Sequence, residues 1–155
     1  MKTVRFLSFL LVLVGSLACS TREDVISPEY AENIKRYFAE VHQEELSEDQ
    51  SFLVIPLGGC SPCLKELMDS LVAQSYNLNM LFSGETSDND LKALGTVIQE
   101  RYPLMKDKEN LMMRYRTNIF GPTIMTFESG RIVGFVEIDT QNMSMELAKI
   151  PLRKQ

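Results

Sequence analysis

Phe52-Leu53-Val54-Ile55-Pro56-Leu57-Gly58-Gly59-Cys60-Ser61-Pro62-Cys63 is the stretch on which the fold turns. Its first six residues are a compact apolar run, short and β-branched, which predicts a buried strand. Gly58-Gly59 closes the run, and Pro56, with no N–H to donate, belongs at the strand's end. Beyond Cys63 the period changes. Leu64, Leu67, Met68, Leu71 and Val72 stand at i, i+3, i+4, i+7 and i+8, one face of a helix. Cys60 and Cys63 therefore sit at a strand-to-helix junction.

Two thiols at that spacing can close a small disulfide ring, Cys60–Cys63. At a helix start the unpaired backbone N–H groups and the positive end of the dipole favour a thiolate at Cys60. A lowered pKa and an exposed sulfur are what thiol–disulfide exchange requires. Cys63, one turn in, can attack the mixed disulfide and release the product. Pro62 fixes the first turn without losing a needed hydrogen bond. A purely structural disulfide is the rival reading, but so short a bridge removes little chain entropy.

Outward from this junction the elements alternate. Ser27 suits an N-cap and Pro28 the first helical position; Tyr30, Ile34, Tyr37, Phe38 and Val41 then mark a helix running to about Leu46. Leu78 to Phe82 reads as a second buried strand, and Asp88 to Arg101 as a helix carrying Leu91, Leu94, Val97 and Ile98. Pro103 ends it. Residues 110 to 116 are expected to form a short helix, and Lys106-Asp107-Lys108-Glu109 a solvated loop. Thr123 to Phe127 and Ile132 to Ile138 flank a Glu128-Ser129-Gly130-Arg131 turn, an antiparallel hairpin. Met143 to Ile150 closes with a helix. The order implies a mixed sheet with helices on both faces, an α/β fold.

Taken together, strand then Cys-x-Pro-Cys at a helix N-terminus, the Gly121-Pro122-Thr123 strand opening and the hairpin after it resemble the thioredoxin superfamily, over about Phe52 to Ile150. The resemblance implies a thioredoxin-like fold and a proline, here Pro122, that faces the Cys pair across a cis bond. It implies that Gly121, Pro122 and Thr123 line a groove for a substrate's extended backbone, and that neither metal nor cofactor is needed. Pro122 follows Cys60 by 62 residues, one element more than a minimal thioredoxin. With the N-terminus described next, that spacing is similar to the periplasmic, membrane-anchored thiol–disulfide oxidoreductases. Two departures stand out. Gly59 occupies the place where family members commonly have Trp, and Ser51 to Leu57 holds none of the carboxylates that many thioredoxins bury there. Glu66 is the nearest acid in sequence.

Lys2 and Arg5 precede an apolar run from Phe6 to Val14, too short for a transmembrane helix of roughly 20 residues. Gly15-Ser16-Leu17-Ala18-Cys19 follows. This segment resembles a bacterial lipoprotein signal, although Ser16 stands where Leu is usual; an ordinary signal peptide is the alternative. The expected division is a signal at 1–18, lipidated Cys19 and a spacer at 19–27, and one domain at 28–155. The location this implies is the cell envelope, tethered to a membrane and facing the periplasm.

Composition excludes other classes. The chain has 155 residues, 16 basic and 21 acidic, for a net charge of -5. Loss of Lys2 and Arg5 with a signal leaves 14 basic residues and a charge of -7. Nucleic acid is not an expected partner, since phosphate binding needs clustered cations. Zinc is disfavoured, because two thiolates and one His do not make four ligands. Copper delivery by a Cys pair plus His42, and a peroxidase needing Thr where Leu57 stands, are weaker rivals. His42, among Glu40, Gln43, Glu44 and Glu45, reads as solvated. Met68, Met80 and Met125 read as core; Met112, Met113, Met143 and Met145 as borders of a hydrophobic partner groove. The function expected is exchange with protein thiols and disulfides through Cys60 and Cys63. A non-catalytic docking module of a lipoprotein complex is the competing reading.

Overall fold

The structure, a computed structural model, describes residues 26–42, 46, 48–57, 62–84 and 96–154, with backbone only at 62 and 63. Helix α1 spans Pro28–His42. Ser27 caps it: its carbonyl accepts from the Ala31 N–H at 2.9 Å and its hydroxyl oxygen from the Tyr30 N–H at 3.3 Å. Pro28 opens the first turn, where a missing N–H costs nothing. Ile34, Tyr37 and Phe38 are buried and Tyr30 and Val41 half-buried, the stripe that the sequence spacing predicts.

Strand β1, Gln50–Pro56, is the middle of a five-stranded sheet of order β3-β2-β1-β4-β5. The other strands are β2 (Asn79–Ser83), β3 (Leu104–Asp107), β4 (Thr123–Glu128) and β5 (Arg131–Glu137). β1 runs parallel to β2, with Phe52 opposite Asn79 and Pro56 opposite Ser83. It runs antiparallel to β4, with Val54 opposite Thr123. Side chains alternate between the two faces. Leu53 and Ile55 pack with Leu67 and Leu71 of α2 (Pro62–Ala73), Ile98 of α3 (Thr96–Arg101) and Leu147 of α5 (Met143–Ala148). Phe52 and Val54 join α1 and Leu111 and Met112 of the one-turn helix α4 (Leu111–Arg114) on the other face. On that second face Phe38, Phe52 and Phe127 form a mutual aromatic cluster, with centroids 4.7 to 5.6 Å apart. The result is an α/β mixed sheet covered on both sides, consistent with the thioredoxin-like fold that the sequence resemblance implies.

The hairpin closes as expected. Glu128 pairs with Arg131, and the two residues between them, Ser129 and Gly130, have φ of 49° and 73°. Two left-handed positions in a two-residue loop match the twist of the strands they join. A Cβ on Gly130 would meet the Leu46 carbonyl oxygen at 2.5 Å.

Four expectations are corrected. Strand β3 was not foreseen: Leu104-Met105-Lys106-Asp107 is short and half charged, yet it completes one edge of the sheet. An edge strand with charged residues resists pairing with other chains. Asp107 belongs to no solvated loop, being 2% exposed. His42 is half-buried and not a freely solvated side chain; its ring lies edge-on to Phe52 at 6.1 Å at the last position of α1. Finally, the Gly121–Pro122 bond is trans, since no cis peptide occurs among the described residues. Trans is the intrinsic preference of X–Pro bonds. Of the helix expected over residues 88–101, only Thr96–Arg101 lies among the described residues.

Candidate functional site at the end of the central strand

Pro56 ends β1, and the Leu57 N–H donates to the Ser83 carbonyl at 2.6 Å. The chain next enters a helix at Pro62. Cys63 thus falls in the first turn of α2 by its backbone. Cys60 lies outside the described residues, as do Gly59 and Cys19.

Gly121, Pro122 and Thr123 come to the same end of the sheet. Thr123 pairs with Val54, so Pro122 and Gly121 continue alongside the last residues of β1. The Thr123 hydroxyl donates to the Gly121 carbonyl at 2.9 Å, and the Pro122 carbonyl accepts from the Ile138 N–H at 2.7 Å. These bonds fix the strand opening. Pro122 and Thr123 are buried. Gly121 is not bare: a Cβ there would meet the Glu137 carboxyl oxygen at 2.5 Å. A carboxylate on β5 therefore lies over this segment, which sequence reading missed because Glu137 is remote from any motif.

The second residue missed is Asp107. Its carboxylate accepts from the Leu111 N–H at 2.7 Å, the Met112 N–H at 2.8 Å and the Ser83 hydroxyl at 2.9 Å. Asp107 thereby supplies acceptors to two of the free N–H groups that open α4. It also ties α4 to the end of β2. Tyr37 completes this buried corner. Its hydroxyl is buried without a closed hydrogen bond, and burial, with the nearby Asp107 charge, pushes its pKa well above the ordinary tyrosine value.

Beyond α4 the chain is irregular but tightly held. Asn110, Arg116 and Asn118 have φ of 52°, 50° and 50°. For Arg116 that conformation costs about 1–2 kcal/mol. Offsetting contacts surround it. The Thr117 N–H and hydroxyl both donate to the Met112 carbonyl, at 3.2 and 3.3 Å. Tyr30 donates to the Thr117 carbonyl. Glu40 of α1 accepts from Tyr115 and pairs with Arg114 at 3.1 Å.

This segment and the end of β1 enclose a groove of about 490 Å³. Pro56, Leu57, Met112, Met113, Ile119 and Phe120 give it apolar walls. Phe120 is 80% and Met113 68% exposed. Of the methionines expected to border a partner groove, Met112 and Met113 do so; Met143 is buried in the opposite core and Met145 stands elsewhere on the surface. Among the described residues no group of His, Cys, Asp or Glu has the arrangement of a metal site, and no helix is long and apolar enough to cross a membrane.

No protein-family model matches the chain, and no curated protein matches it. Among solved structures it is similar to the C-terminal domain of an uncharacterized protein from Bacteroides fragilis NCTC 9343. The identity is 17% and the TM-score 0.45, over 70% of this chain and 83% of that one. It is similar also to StoA from Bacillus subtilis, at 16% identity and a TM-score of 0.41, over 66% of this chain and 83% of that one.

Proposed function

We propose that this protein exchanges disulfides with other proteins through Cys60 and Cys63. The observation that carries the reading is the junction itself: a central strand, buried from Phe52 to Ile55, ends at Pro56 and a helix begins at Pro62, with Cys-Ser-Pro-Cys in the chain between and just after. In open α/β sheets the crevice beyond the carboxyl ends of the strands is where ligands bind. The Gly121-Pro122-Thr123 segment and the apolar groove border that same end.

The chemistry balances within the two proteins. The Cys60 thiolate attacks one sulfur of a substrate disulfide, forming a mixed disulfide as the substrate's S–S bond breaks. The departing thiolate takes a proton. Cys63 then attacks Cys60, closing the Cys60–Cys63 bond and releasing the second substrate thiol. The substrate gains two electrons and the pair loses two; the reverse sequence oxidises the substrate. The location proposed is the cell envelope, with acylated Cys19 as a tether and residues 28–155 facing the periplasm. Support comes from the Lys2-to-Cys19 pattern, with residues 19–27 as spacer.

The test is the reduction potential of the pair, measured by thiol alkylation across dithiol and glutathione buffers. A value near that of thioredoxin, about -270 mV, makes the protein a reductant. One between about -180 and -120 mV makes it an oxidase or isomerase. A pair that stays oxidised below about -300 mV, or never closes, removes the catalytic reading. The groove then favours the second reading, a docking module without redox chemistry. Only that role survives replacement of both cysteines by serine.

A further inference from the structure

We infer that the groove beside the end of β1 is a preorganised docking site for an extended polypeptide segment, one carrying a bulky apolar side chain next to a carboxylate. The inference deepens the exchange reading by naming the class of partner that would reach the site. Three observations converge on it. The groove is concave and apolar, and its volume of about 490 Å³ lies within the range of ligand pockets. Side chains suit such a concavity; a bilayer surface calls for a protruding apolar edge. Its most exposed apolar walls, Phe120 and Met113, are side chains that a monomer gains nothing by leaving in water.

The walls are also rigid. The segment from Asn110 to Asn118 holds three left-handed residues. Asp107, Thr117, Tyr30 and Glu40 bind it in place. Asn adopts that conformation readily, so the strain falls on Arg116; strained residues fixed from several sides cluster at binding surfaces, and preorganisation removes the ordering cost of binding.

Charge sets the partner's polarity. Arg116 is exposed and is the one charged side chain lining this groove among the described residues. In a protein of net charge -5 it offers a local cation where an acidic partner residue can settle. The apolar side chain would then lie against Met112, Met113 and Phe120, where sulfur and aromatic ring adapt to its shape.

The test uses the full chain carried in lipid nanodiscs and two cysteine-free six-residue peptides. Both have Leu-Phe at the centre, one flanked by Asp and the other by Lys. The acidic peptide is expected to bind more tightly. Phe120→Ser is expected to weaken it at least about tenfold, as for a buried aromatic anchor. Arg116→Glu is expected to reverse the preference between the two peptides. Both positions are exposed, so folding is retained, and circular dichroism checks it. Equal binding of both peptides to wild type and both variants overturns the inference.

A second arm separates a lipid occupant. The chain has no Trp, so Phe120→Trp is a single reporter. A blue shift on adding the acidic peptide supports the groove as a peptide site. Quenching by brominated lipid that the peptide does not relieve overturns it, and makes this rim a membrane contact. Because Cys60→Ser/Cys63→Ser protein should bind the peptide undiminished, failure of the exchange chemistry is distinguishable from failure of the groove.

Discussion

Replacing Asp107 by Asn tests whether one carboxylate holds the site's architecture together. The Asp107 carboxylate accepts three hydrogen bonds with both oxygens, at 2.7, 2.8 and 2.9 Å, while 2% exposed. An Asn amide keeps one oxygen, so the Leu111 N–H retains its acceptor. The amide nitrogen then faces the Met112 N–H, donor against donor, while the Ser83 hydroxyl can turn to accept. One buried N–H is orphaned, at about 1–3 kcal/mol, and the surviving bond is no longer charge-assisted. The expected loss is about 2 kcal/mol for Asp107→Asn and about 4 kcal/mol for Asp107→Ala, which strands all three donors. Urea unfolding reads this directly: with m of about 1–3 kcal/mol per molar, the Asn variant's midpoint should fall by about 1 M at unchanged m. Amide exchange at Leu111 and Met112 should accelerate in the folded state. The exposed neighbour Lys108→Ala serves as control, within about 0.5 kcal/mol. A loss for Asp107→Asn no larger than that control refutes the account of Asp107 as the fastening of α4.

Other outcomes follow from single residues. Burial favours the neutral phenol of Tyr37, so its folded-state pKa lies above that of the unfolded chain, near 10. Stability is intact below pH 10 and declines as pH rises past it; Tyr37→Phe should flatten that decline in urea titrations at pH 9 to 11 and, having removed an unbonded buried hydroxyl, cost under about 1 kcal/mol at pH 7. Gly130→Ala combines a left-handed φ of 73° with a 2.5 Å approach to the Leu46 carbonyl; a loss of about 2 kcal/mol should lower the melting temperature by several degrees, and an unchanged melt would contradict the turn geometry. Phe38→Ala empties the centre of the Phe38–Phe52–Phe127 cluster and should cost about 3–5 kcal/mol by equilibrium unfolding, against about 1 kcal/mol for Phe38→Leu.

Much of this fold was legible where burial is two-sided or periodic. Phe52 to Ile55 reads as a central strand because no residue in it tolerates water, and Ser27-Pro28 as a helix start because each residue supplies one requirement of the first turn. Strand β3 was illegible for the opposite reason. Leu104 to Asp107 has one sheet neighbour, so it needs little apolar character, and its pairing is decided by β2 rather than by its own composition. The candidate site divides in the same way. The Cys pair and the Gly-Pro-Thr opening stand out as motifs. Asp107 and Glu137 do not, because their importance lies in what the fold brings to them: two backbone N–H groups and a hydroxyl for one, the glycine two residues ahead of β4 for the other. The trans Gly121–Pro122 bond shows the limit of a family pattern, which names a position without fixing its isomer.

The order of the strands has a consequence for synthesis. Gln50 of β1 pairs with Phe127 of β4, 77 residues further along the chain, whereas β2 follows β1 closely. A polypeptide emerging from its N-terminal end can dock β2 on one side of Phe52-Leu53-Val54-Ile55 early. The other side stays open until the last hairpin arrives. For that interval the most water-averse strand of the molecule offers a free row of backbone donors and acceptors, a template for association with other chains. Any holdase attending this protein would therefore be needed longest at β1, and release would coincide with the arrival of Thr123 to Glu137.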